Sequence, residues 1–114
     1  MQTERPAWLA EWCPAWCSGD HAGQELSDDR RHQSESRWWP ELVRRRRLLS
    51  SGEVHRVVVP TEMAVMAVQH MDERAPWVAL TTDVELVELT LDGARRLHAE
   101  LGRLLARMEG TDDG

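Results

Sequence analysis

From position 54 onward the apolar positions of this chain recur with periods that predict elements. Residues 54–59 (VHRVVV) and 63–71 (MAVMAVQHM) are β-branched and apolar-rich, which predicts two strands. Residues 72–76 (DERAP) form a polar connector of hairpin length. Residues 77–81 and 84–89 then predict two more strands, joined by a Thr82-Asp83 turn. Strands with such short links pair antiparallel, as a meander. After residue 89 the period changes. Ala94, Leu97, Leu101, Leu104, Leu105 and Met108 share one helical face, with Arg95, Arg96, Glu100, Arg103 and Arg107 mostly on the other. Thr90 suits the N-cap, and Asp92 stands where the helix dipole favours an acid. The helix is expected to lie on the sheet and close the core. Residues 111–114 (TDDG) read as a frayed tail.

The first half carries no such period. Trp8, Leu9 and Trp12 suit one side of a short helix, which Pro14 would interrupt or restart. Residues 18–36 are polar and read as a loop. Residues 40–49 (PELVRRRRLL) predict a second short helix, Arg-rich and opened by its proline. Pro-Ala-Trp occurs at 6–8 and again at 14–16, too little sequence to define a repeat. The expected architecture is α+β: an antiparallel meander of three to four strands, a C-terminal amphipathic helix and an N-terminal knuckle-like segment. Residues 1–53 form the Trp/Cys/His part and residues 54–114 the sheet and helix, together one small domain.

Composition narrows the function. A chain of 114 residues has room for one core, and a domain of this size gains from a metal or a partner. The net charge of −6 is concentrated in residues 54–114, which hold eleven acids and six arginines against nine and eight before them. That balance disfavours nucleic acid as the partner. No run approaches the ~20 apolar residues of a membrane span. The opening MQTERPAWLAEW lacks a signal-peptide pattern, so the cytoplasm is expected. Phe and Tyr are absent, and six tryptophans supply all the aromatic packing.

Both cysteines fall in one stretch, residues 13–21 (CPAWCSGDH). In a reducing compartment a Cys pair points to metal binding before a disulfide. Cys13, Cys17 and His21 are spaced i, i+4, i+8, and on a straight helix the outer two would stand ~12 Å apart along the axis. One ion therefore requires a bend before His21, and Ser18-Gly19-Asp20 provides it, since Gly19 tolerates positive φ. His32 is the nearest fourth donor. Cys13, Cys17, His21 and His32 together suit a structural zinc. The alternatives are a pair of small buried thiols beside Trp12 and Trp16, or a redox pair.

Residues 12–17 (WCPAWC), followed by Asp20-His21 and His32, resemble the opening of a family of small uncharacterised actinobacterial proteins. In that family a Cys-Pro-x-Trp-Cys motif and nearby histidines precede a β-rich region and a helix after a Leu-Thr phrase, matched here by Leu89-Thr90. The family is a domain of unknown function, so the resemblance implies no activity. The chain departs from its pattern at Gln33-Ser34, where a glycine is expected near the second histidine.

Three further features bear on function. Arg44, Arg45, Arg46 and Arg47 offer a phosphate-contacting run or a solvated helix face. Trp8, Trp12 and Trp16 recur every four residues, as an interaction stripe or as packing around the metal. His55 and His70 lie in predicted strands, where a paired metal site is conceivable. No Gly-rich phosphate loop, nucleophile elbow or His-Glu-x-x-His motif is present. The expected function is therefore non-enzymatic binding, with a protein as partner. The rivals are nucleic-acid binding through the arginine run and an accessory zinc hydrolase using Cys13, Cys17 and His21 with Asp20.

Overall fold

The computed structural model describes residues 5–110, and the tail at 111–114 lies outside them. The chain order is β1 (Arg31–Gln33), β2 (Arg37–Leu48), β3 (Val54–His70), β4 (Trp77–Thr81), β5 (Leu86–Thr90) and α1 (Leu91–Met108). The five strands make one antiparallel sheet, so the class is α+β with a C-terminal helix, as the pattern predicts.

β3 organises the sheet. It is one strand of 17 residues where two were expected, and Pro60 does not divide it. β2 pairs with it from Arg37 opposite Val65 to Leu48 opposite Val54, and β1 continues along the same edge from Gln33 opposite Val68 to Arg31 opposite His70. Three residues, 34–36, face two on β3, which makes a bulge. Ser34 closes it: its N–H donates to the Ala67 carbonyl at 2.9 Å, and its Oγ accepts from the Ala67 N–H at 2.8 Å.

On the other edge β4 covers only Ala64–Val68, and β5 follows outside it. The far halves of β2 and β3 consequently project as a two-stranded arm.

The Arg-rich short helix expected at 40–49 is a correction: residues 40–48 belong to β2. Arginine and leucine favour helices only weakly, and twelve rungs of pairing to β3 outweigh that preference. The prolines fit because of the register. Pro40 stands opposite Glu62 and Leu42 opposite Pro60, two residues apart on each strand. Alternate positions of an antiparallel ladder turn their N–H away from the partner, and both prolines take such outward positions. The loop expected at 18–36 likewise contains a 3-10 turn at Ser27–Asp29 and strand β1. His55 and His70 sit on the same strand, about 50 Å apart along it, so they do not face each other.

The helix starts where expected. Thr90 Oγ1 accepts from the Gly93 N–H at 3.0 Å. Its apolar face does not close the core, however. α1 meets the sheet at β4 and β5, no residue of it is buried, and Leu97, Leu101, Leu104, Leu105 and Met108 are all exposed. None of the described helices is long and apolar enough to cross a membrane.

Candidate metal centre

Residues 5–24 are positioned by turns rather than by the helix expected around Trp8, Leu9 and Trp12. Each Pro-Ala-Trp triplet makes the same one. The Leu9 N–H donates to Pro6 O at 3.1 Å and the Cys17 N–H to Pro14 O at 3.0 Å. The two thiols thus bracket the second turn. The chain then reverses at Gly19, whose φ of +80° only glycine adopts without strain. The Gly19 N–H points to Cys17 Sγ at 3.4 Å, and Asp20 Oδ1 accepts from the Ala22 N–H at 3.0 Å. That reversal is the bend one ion requires, and it swings His21 back over the cysteines. The Ser18 N–H donates to Gln33 O at 2.9 Å, docking the loop against β1, which carries His32. Gln33 and Ser34, where the family pattern led us to expect a glycine, therefore serve as the loop's acceptor and the closure of the bulge.

One ligand atom from each of Cys13, Cys17, His21 and His32 lies within 4.8 Å of the others, close enough to hold a metal ion. His21 Nε2 is 3.4 Å from Cys13 Sγ and 3.8 Å from Cys17 Sγ. Bonds of about 2.3 Å to sulfur and 2.0 Å to nitrogen in a tetrahedron put neighbouring ligands ~3.3–3.8 Å apart. The arrangement is already near the size of such a site.

Burial makes the case chemical. His32 is 2% exposed and His21 4%. Neither ring nitrogen of His32 has a hydrogen-bond partner, and the Glu11 carboxylate stands 3.7 Å from Nε2, too far to serve as one. A buried imidazole without partners costs free energy that a cation recovers. Burial lowers the His32 pKa, and Glu11 opposes the shift in part, so the ring keeps a lone pair for a metal. Burial and the adjacent Cys17 sulfur raise the Cys13 pKa, with Arg5 opposing. Cys13 accordingly holds its proton at neutral pH, and a metal bound there would displace it.

Gln24, which the sequence reading passed over, orients the site. It is buried, and its Oε1 accepts from the Arg31 N–H at 3.0 Å and lies 3.0 Å from His21 Nδ1. An acceptor there assigns the proton to Nδ1 and leaves the Nε2 lone pair facing the sulfurs. The local signal was His21-Ala22-Gly23-Gln24, a turn with Gly23 at φ +79° and the Gln24 N–H on His21 O at 3.3 Å. The tryptophans of the two turns stand edge-on to one histidine each, Trp8 to His21 at 5.6 Å and Trp16 to His32 at 6.4 Å.

The other candidates divide. Trp8 and Trp16 are half-buried at the cluster and Trp12 is 87% exposed, stacked under the Arg5 guanidinium, so the three do not form one stripe. The arginine run alternates along β2: Arg45 reaches Asp83 at 3.7 Å, while Arg44 and Arg46 take the opposite face with Trp38 and Leu42. Asp20 caps the loop through its Ala22 bond.

The profile of a domain of unknown function, DUF6907, matches residues 2–113, nearly the whole chain. No curated protein and no solved structure matches it.

Proposed function

We propose, since the chain belongs to the DUF6907 family, that this member is a non-catalytic binding protein whose N-terminal segment is folded by a structural zinc ion. The observation that carries the metal is His32, buried with both nitrogens unpartnered inside a cluster of two thiols and a second imidazole. Two sulfurs and two imidazole nitrogens are the donors zinc favours, and four protein ligands leave no open position for substrate, the mark of a structural site. The ion would tie Cys13, Cys17 and His21, which precede the sheet, to His32 on β1. Segments with few apolar contacts of their own draw folding free energy from such a bond.

Binding is assigned to the arm. One face of it presents Leu42, Val58, Val54 and Leu48, with Trp38 at its base, all exposed. Arg44 and Arg46 share that face, and Arg46 stands directly opposite Arg56. Like charges paired across strands destabilise a ribbon unless an acid offsets them. Apolar side chains interleaved with unpaired arginines suit an acidic, amphipathic segment of a partner protein. The same arginines suit phosphates, which keeps nucleic acid as the second reading.

The deciding experiment is metal content. Chain purified without chelator should carry about one zinc, and both Cys17→Ser and His32→Ala should lose it. Zinc lost from Cys17→Ser alone would exclude His32 as a ligand and reopen the hydrolase reading. No zinc in any form of a folded chain would end the proposal.

A further inference from the structure

Among the described residues nothing covers the apolar face of α1, and its spacing specifies a partner. Ala94, Leu97, Leu101, Leu104 and Met108 recur at intervals of three and four, the a and d positions of a heptad. Leu105 widens the stripe at e. Leu97, Leu101, Leu104, Leu105 and Met108 are between 37% and 74% exposed. The helix has 18 residues, about 27 Å, and a helix of that length with a bare apolar face is marginal alone in water.

We infer that α1 pairs with α1 of a second copy of this chain as a short antiparallel coiled coil. Charge chooses both the occupant and the direction. In an antiparallel pair the a layer of one helix meets the d layer of the other, and g positions face g positions. Setting Leu101 against Leu104 of the second copy also places Leu97 against Met108 of the second copy. The two g positions flanking these layers are then Glu100 and Arg107, each facing its opposite charge on the other helix, twice by symmetry. A parallel pair would place Glu100 beside Leu105 and make no such contact. Glu100 already contacts Arg103 on its own helix, so in the dimer it lies between two arginines. Both copies offer the same surface, as a two-fold interface requires. The inference involves none of the Cys/His cluster, so it stands or falls separately from the metal.

The test uses the full-length, metal-loaded chain in sedimentation velocity from about 1 to 300 µM, a span that brackets the micromolar affinity expected of so short a seam. A concentration-dependent dimer is expected. Leu101→Glu should weaken it by at least ~100-fold, since it puts a charge at a central a position, while zinc content and helicity remain. Glu100→Arg alone and Arg107→Glu alone should each weaken dimerisation about five- to tenfold, two surface pairs being reversed at once. The double variant should restore it. A chain monomeric throughout, or one whose α1 binds anionic phosphatidylglycerol vesicles without self-association, overturns the inference. A dimer that survives Leu101→Glu overturns it too, and a dimer without charge-swap rescue overturns the antiparallel register.

Discussion

The N-terminal turns and the C-terminal helix are opposites. Residues 5–30 hold almost no regular structure, yet Leu9, His21 and Gln24 are buried there, and the His21 ring stands 5.5 Å from that of His32. α1 is the most regular element, with its N-cap satisfied and its apolar face continuous, and it buries nothing. Regularity and burial therefore come from different sources in this molecule. The helix follows from periodicity, a property of the segment alone. The cluster follows from donor atoms that distant segments bring together, and both ring nitrogens of His32 lack a hydrogen-bond partner within it. One end gathers donor atoms that could hold a metal ion, and the other leaves an apolar face exposed.

Removing the ion should separate the two most. Adding a chelator that outcompetes the site should release amide protection across residues 5–33, because zinc-finger sites hold of order 10 kcal/mol of apparent binding free energy. β3 to β5, paired by backbone bonds independent of the cluster, should keep theirs. Hydrogen exchange with and without chelator reads the difference. Equal loss over the whole sheet would mean that the two ends are not independent.

A milder change at the same end is Gln24→Ala. Losing an acceptor that fixes the tautomer of a ligating histidine typically costs 10–100-fold in metal affinity. Competition against a chromophoric chelator should show that loss with the zinc count still near one per chain at saturation. The metal-free chain should also be pH-sensitive in a known direction. His32 is held below its ordinary value of 6.5, so below that pH the unfolded chain binds the additional proton. Stability is then fully present above 6.5 and declines as the pH falls through it. Urea midpoints at pH 7.5 and 5.5 measure this. A His32→Gln chain should show a smaller decline.

What the sequence made legible follows the same division. The strand at 77–81, the cap at Thr90 and the helix were readable because each is set by local period or chemistry. Cys13, Cys17 and His21 were readable from spacing plus the need for a bend, and His32 from donor type and proximity. β2 was not, because Pro40 and four arginines suit a helix start locally, and only pairing with a strand beyond the turn makes them extended. Residues 54–59 and 63–71 read as two strands, yet they are one, since a proline such as Pro60 interrupts a strand only where its N–H would have been used. Gln24 and Ser34 escaped notice since their roles, holding a histidine tautomer and closing a bulge, exist only after distant segments meet. The exposed helix face was hidden by the assumption that an amphipathic helix covers its own sheet.

The smallest expected effect belongs to the helix and tests its independence. Thr90→Ala removes the hydroxyl that accepts from the Gly93 N–H. Loss of such a cap costs about 1 kcal/mol. The side chain is exposed and the adjoining Leu91 and Asp92 are exposed as well, so no cavity adds to that cost. The loss should appear as fraying of the first turn, seen as faster exchange at residues 92–95, with zinc affinity unchanged. β5 ends at Thr90 opposite Trp77, and α1 meets the sheet at β4 and β5, so any wider disturbance must pass through those two strands. If Thr90→Ala weakens zinc binding, the helix and the cluster share one cooperative unit, and the contrast between them is one of appearance rather than of energetics.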